Sequence, residues 1–209
     1  MKDDKIVIVD YGMGNLASIQ NMLKHIGVRA AISGDAAAVE SAGKLILPGV
    51  GAFDSGMKKL HELGLVPVLD RRVREDAVPV LGVCLGMQLF TRCSEEGTAS
   101  GLGWIAAGTR RFAFRGEPAR LKVPHMGWNA VAVNKPSVLF HEMHEEPRFY
   151  FVHSYHLVCD DEEDVLCRTH HGYDFASAVE RGNVYGVQFH PEKSHKFGMK
   201  LLENFARRA

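Results

Sequence analysis

One short segment limits what this chain can fold into. Residues 78–88 read Val-Pro-Val-Leu-Gly-Val-Cys-Leu-Gly-Met-Gln. The apolar, β-branched run to Val83 has the character of a buried strand, and Met87-Gln88-Leu89-Phe90 starts a helical pattern. Cys84 falls at the switch, with Gly82 and Gly86 two residues away on either side. This is the form of a nucleophile elbow, glycine-x-nucleophile-x-glycine, with sulfur in the nucleophile's place. The turn is sharp enough that side chains at the glycine positions would block both substrate and neighbouring backbone. A helix starting just after the sulfur favours thiolate over thiol. The alternative for any cysteine is a buried structural thiol, and the flanking glycines and the strand-to-helix switch argue against it here.

The elbow sits in a repeating context. The pattern predicts a strand over 5–10, a helix over 15–26, a strand over 44–47, helices over 55–63 and 66–75, and then the strand into Cys84. Such alternation gives an α/β fold with a mixed, mostly parallel central sheet flanked by helices. From Gly108 to Cys167 the pattern changes to strands joined by short turns, at 129–133, 148–152 and 156–159, which implies antiparallel additions in the second half. A late hairpin, 177–179 with 183–188, is expected to return to the site. Ser194 is read as the cap of a last helix to about Ala206, with Met199, Leu201, Leu202 and Phe205 as its core stripe.

A thiol nucleophile needs a base. Residues 184–192, Val-Tyr-Gly-Val-Gln-Phe-His-Pro-Glu, read as an alternating strand ending at His190. Histidine titrates near neutrality and can take and return a proton. Glu192 can hold the other ring nitrogen and set the tautomer, as the acid does in a nucleophile–histidine–acid triad. Pro191 stiffens the link between them. Among eleven histidines, His61, His141, His144 and the pair His170-His171 have no comparable setting. Leu85, first in the helix after the elbow, is placed to offer a backbone N–H to an oxyanion.

Composition narrows the classes. Lys+Arg and Asp+Glu are both 25, a formal net charge of zero, which argues against nucleic-acid binding. The runs 71–74 and 160–164 read as solvated faces. The 209 residues are expected to form one domain, 1–209, since no linker, repeat or low-complexity stretch interrupts them. Cysteines 84, 93, 159 and 167 lack the spacing of a zinc site, so no metal is expected. They are read as free thiols in a reducing cytoplasm, the last three structural. The short polar lead-in before Ile6 and the brief apolar run after it fit neither a signal peptide nor a membrane span.

The elbow Gly82-Val83-Cys84-Leu85-Gly86-Met87-Gln88 and the segment Gln188-Phe189-His190-Pro191-Glu192 together resemble the class I (triad) glutamine amidotransferases. Leu47-Pro48-Gly49-Val50-Gly51 resembles that family's oxyanion strand. The segments 123–129 (Val-Pro-His-Met-Gly-Trp-Asn) and 150–155 (Tyr-Phe-Val-His-Ser-Tyr) are similar to the branch forming the glutaminase subunits of imidazole glycerol phosphate synthases. The likeness runs from about Asp10 to the C-terminal helix. It implies hydrolysis of L-glutamine by Cys84, His190 and Glu192 without a cofactor, and Val50 as the second oxyanion donor. It also implies that Gly49 and Gly51 contact the substrate, and that Ser154 and Tyr155 hold its α-groups beside Gln88, one helical turn from Cys84. The implied partner is a (β/α)8 cyclase subunit that receives the ammonia in a heterodimer, with Asn15 facing it.

Several alternatives stay open at this level. Gly49 and Gly51 allow the Gly49–Val50 peptide to rotate, or the loop is a fixed turn. Pro124, Met126, Trp128 and Asn129 have an interface's composition, or Trp128 is core. Gly12-x-Gly14-x-x-Ala17, with Asp35 further on, matches a dinucleotide fingerprint in form, but a tight turn facing the mouth of the site is simpler. Rival functions are a paralogous amidotransferase serving nucleotide-sugar amidination, the glutaminase of pyridoxal phosphate synthesis, a catalytically silent regulatory subunit and an unrelated cysteine hydrolase.

Overall fold

A computed structural model describes residues 5–114 and 121–209. The lead-in at 1–4 and the stretch 115–120 within the second half lie outside the described residues. The first half alternates as expected: β1 (Ile6–Val9), α1 (Leu16–His25), β2 (Ala30–Ser33), α2 (Ala36–Glu40), β3 (Lys44–Gly49), α3 (Phe53–Glu62), α4 (Leu65–Arg74), β4 (Val80–Cys84) and α5 (Leu85–Leu89). Strand β2 and helix α2 escape the sequence pattern. The strand Ala-Ala-Ile-Ser is half-buried, lies at the sheet edge and lacks the β-branched run that marks its neighbours.

The second half contributes β5 (Cys93–Ser94), β6 (Ala107–Arg111), β7 (His125–Ala130), β8 (Ala132–Val133), β9 (Arg148–His153), β10 (Tyr155–Cys159), β11 (Val165–His170), β12 (Asp174–Arg181), β13 (Val184–Val187) and α6 (His195–Arg208). The main sheet runs β2-β1-β3-β4-β13-β12-β10-β6-β5, with β11 and β8 attached at β12. Its core, β2, β1, β3, β4 and β13, is parallel. Across β12, β10 and β6 the pairing becomes antiparallel.

Strands β1, β3 and β4 are buried on both faces, as continuous apolar parallel strands must be. Val7, Val9, Leu45 and Leu47 pack on one side with Phe53, Leu60, Leu65 and Leu69 of α3 and α4. Ile6, Ile8, Ile46, Leu81 and Val83 pack on the other with Ile19, Leu23, Leu201 and Phe205 of α1 and α6.

Three expectations are corrected. The strand read at 129–133 starts earlier, at His125, and pairs with β9 in a separate two-stranded sheet. The Ser194 hydroxyl does not cap α6. It donates to His190 O and accepts from Tyr150 N, tying β9 to the segment after β13. In α6, Met199 is only partly buried, and Phe197 fills the core instead. The charged residues of the two runs lie mostly at the surface, as read; Arg71 with Glu40 and Arg74 with Asp70 form exposed ion pairs, and Asp164 alone is buried, facing Arg181. No helix among the described residues is long and apolar enough to cross a membrane.

Candidate active site

The elbow is built by backbone contact. Cys84 has φ 55° and ψ −110°, a conformation that costs an L-residue free energy and persists only where the surroundings enforce it. The glycines supply that enforcement. An added Cβ on Gly86 would stand 1.8 Å from Leu47 O, and one on Gly82 would stand 2.7 Å from Met87 N. Helix α5 therefore sits directly on the ends of β3 and β4, and the register sets Gly49 opposite Cys84.

Strand β13 brings the histidine. It lies parallel to β4 with Gly186 opposite Gly82 and Val187 opposite Val83, so the chain leaving it passes beside the elbow. His190 Nδ1 lies 2.9 Å from Glu192 Oε1, both side chains 2 % exposed. A carboxylate only accepts at neutral pH, so Nδ1 carries the proton and the carboxylate fixes the ring. Nε2 is buried and has no hydrogen-bond partner among the described residues. Burial opposes charge on this imidazole, but Cys84 and Glu192 outweigh it and raise its pKa to about 9.

Cys84, Leu85 and His190 line one cleft of about 290 Å³ with Val50, Gly51, Gln88, Ser154 and Tyr155. The structure thus gathers elements separated by more than a hundred residues. Glu192 stands behind His190, and Gly49 packs beneath the loop, where a Cβ would meet the Tyr11 hydroxyl at 2.4 Å. Val50 is half exposed at the rim, and Gly51 has φ 126°, a left-handed value that favours glycine. The 12–14 turn packs on this loop: a Cβ on Gly14 would lie 3.2 Å from Pro48 C and Gly49 N. The segment is thus a turn packed against the loop that lines the cleft.

Beneath the cleft runs a hydrogen-bond chain that the sequence did not reveal. Gln188 Nε2 lies 3.7 Å from Cys84 Sγ. Gln88 Nε2 donates to Gln188 Oε1 at 3.0 Å and to Tyr155 O at 3.2 Å. His153 Nδ1 donates to the same carbonyl at 2.7 Å, which leaves His153 Nε2 to accept from His125 Nδ1 at 2.9 Å. His125 Nε2 then accepts from Asn129 Nδ2. Each tautomer follows from the carbonyl at the end. Burial keeps both rings neutral, with the His125 pKa lowered to about 4, His171 adding to the effect, and that of His153 well below its usual value. Glu96 is a further residue the reading missed. It brings a carboxylate to the cleft, with one oxygen accepting from Phe53 N. Among the described residues no group of His, Cys, Asp or Glu is arranged to hold a metal ion.

Pro124 is exposed at the edge of the cleft, which it helps to line; Met126 and Trp128 are exposed outside it on β7, and Asn15 is exposed ahead of α1. Trp128 stacks on His195 rather than entering the core. Asn129 turns its amide inward, onto His125 and His170 O.

The family model described as "Glutamine amidotransferase class-I" matches residues 7–209. The chain is similar to imidazole glycerol phosphate synthase subunit HisH 2 of Methanococcus maripaludis, 52 % identical with 98 % of this chain and 100 % of that one covered. It is also similar to subunit HisH of Leptospira interrogans, 46 % identical over 96 % of this chain and 98 % of that one. Among solved structures, PurLQS from Thermotoga maritima aligns with a TM-score of 0.71 at 16 % identity, covering 96 % of each chain. That last likeness concerns the fold alone.

Proposed function

This chain belongs to the class-I glutamine amidotransferase family, and from that premise we propose that it is the glutaminase subunit of an imidazole glycerol phosphate synthase. In this reading residues 1–209 act as one domain, Cys84 releases ammonia from L-glutamine, and a (β/α)8 cyclase subunit consumes it. The observation carrying the assignment of roles is the buried His190–Glu192 pair at 2.9 Å, which leaves Nε2 without a partner among the described residues while His190 and Cys84 line the same cleft.

The sulfur attacks the side-chain amide carbon of glutamine, and His190 Nε2 takes the thiol proton. The carbonyl electron pair moves to oxygen, where the N–H groups of Leu85 and Val50 stabilise it. Nε2 returns the proton to the amide nitrogen as the C–N bond breaks and ammonia leaves. Water, giving a proton to the same nitrogen, then opens the γ-glutamyl thioester to glutamate and restores the thiol. Glu192 stabilises the imidazolium throughout and stays unprotonated.

The substrate's α-groups are held by backbone at Ser154 and Tyr155, by the Gln88 side-chain Oε1, and by Glu96 facing the α-ammonium. The Gly49–Val50 peptide turns its N–H into the site when the partner docks. Pro124, Met126 and Trp128, with Asn15, form the docking surface. Ammonia released to water is mostly protonated and loses its nucleophilic lone pair, so a sealed path to the partner preserves it.

The test is glutamate release from glutamine by the chain alone and with the cyclase and its ribonucleotide ligand, beside Cys84→Ala. Weak activity alone and strong, Cys84-dependent activity with the liganded cyclase is expected. Activity surviving in Cys84→Ala overturns the mechanism. A bound histidine-pathway cyclase that leaves turnover unchanged points instead to a paralogue serving another acceptor.

A further inference from the structure

Tyr11 follows β1 and is 1 % exposed, packed with Val7, Val9, Leu45 and Leu47. Its hydroxyl is buried with no hydrogen-bond partner among the described residues. Such a group destabilises the fold relative to phenylalanine, which fills the same space without a polar atom to satisfy. The oxygen's position suggests what it serves. The Cβ direction of Gly49 points at it, with an added Cβ only 2.4 Å away and also 2.9 Å from Leu85 Cβ and 3.1 Å from Gly86 N. The hydroxyl therefore rests against the backbone where β3 meets the elbow, at the base of the Gly49–Val50 peptide.

A trans peptide points its C=O and N–H in opposite directions. Turning the Val50 N–H into the cleft that Cys84 lines thus turns the Gly49 carbonyl out of the cleft, to the buried side where the Tyr11 hydroxyl rests against Gly49. Gly49 and Gly51, with no Cβ, permit the rotation.

We propose that Tyr11 is a positioning residue whose hydroxyl donates to the Gly49 carbonyl and holds the Gly49–Val50 peptide with the Val50 N–H in the site. This rests on the reading of Val50 as an oxyanion donor. Burial, and then the nearby Cys84, raise the Tyr11 pKa far above its usual value, so the hydroxyl remains a donor throughout the working range. The resting fold keeps an unpartnered donor, and the competent loop orientation satisfies it.

The test is Tyr11→Phe in the full chain bound to its liganded cyclase partner. Partner-stimulated kcat is expected to fall roughly tenfold, less than the ~10²–10³ for losing an oxyanion donor outright, with the KM for glutamine little changed. Stability of the variant alone, by urea midpoint, is expected to be equal or higher. Alkylation of Cys84 by iodoacetamide, which needs the thiol but no oxyanion donor, is expected to keep its rate. Wild-type stimulated turnover overturns the proposal, as does a kcat loss accompanied by a lower urea midpoint or slower alkylation, which marks a structural role. Cys84→Ala separates the two levels. If it is inactive while Tyr11→Phe is normal, only the role of Tyr11 falls; if it stays active, the reading of the site falls first.

Discussion

Replacing Glu192 by glutamine keeps the size of the group beside His190 Nδ1 and removes its charge. In the wild type the imidazole pKa stands at about 9 although burial alone would lower it, because Cys84 and then Glu192 favour the charged form. A rise from about 6.5 corresponds to roughly 3 kcal/mol at ~1.4 kcal/mol per unit. Two groups share it, so the amide forfeits on the order of 1–2 kcal/mol of imidazolium stabilisation and lowers the pKa. Charge loss alone slows turnover about tenfold, and the loss approaches ~10⁴ where the amide selects the wrong tautomer. Because the folded pKa is raised, the stabilisation is fully present below the unfolded value and is lost as pH rises through about 9. Glu192→Gln is therefore less stable than wild type at pH 6, and this deficit disappears above pH 9. The alkaline limb of kcat, set by loss of the proton destined for ammonia, moves to lower pH in the variant. Urea unfolding at the two pH values and a pH–rate profile with the cyclase present measure both effects. Unchanged turnover with an unshifted alkaline limb would falsify the role given to Glu192.

Gly86→Ala should lose ~3 kcal/mol or more, because its Cβ would stand 1.8 Å from Leu47 O, a backbone atom that cannot step aside; a urea midpoint equal to wild type refutes the close seating of α5 on β3. His153→Ala removes one of two donors on the Tyr155 carbonyl, and the expected result is a KM for glutamine raised about tenfold with a smaller change in kcat; an unaltered KM rejects the link to substrate. Met126→Glu, at a position 62 % exposed, should change stability by no more than ~0.5 kcal/mol while weakening cyclase binding at least about tenfold. Calorimetric titration with an unchanged Kd rules that surface out.

The elbow was legible because its requirements are local. A buried strand, a sharp turn and a helix each leave a mark within ten residues, and the glycines answer to backbone contacts that no other residue fits. His190-Pro191-Glu192 was legible for the same reason, since two residues suffice to bring a carboxylate to a ring nitrogen. The alternation of the first half likewise follows from the apolar periods of its own segments. What the sequence by itself could not determine was the order of strands. The late hairpin was expected to return to the site, but hydrophobic pattern does not tell that β13 enters beside β4, the insertion that brings His190 to Cys84. The course of 125–130 into a small separate sheet was equally hidden, and with it the His125–His153 pair, because the two rings meet only across the β7–β9 ladder. Nothing in the sequence singled out Tyr11. Its meaning depends on the Gly49 backbone thirty-eight residues on, a contact that exists only once β1 and β3 lie side by side.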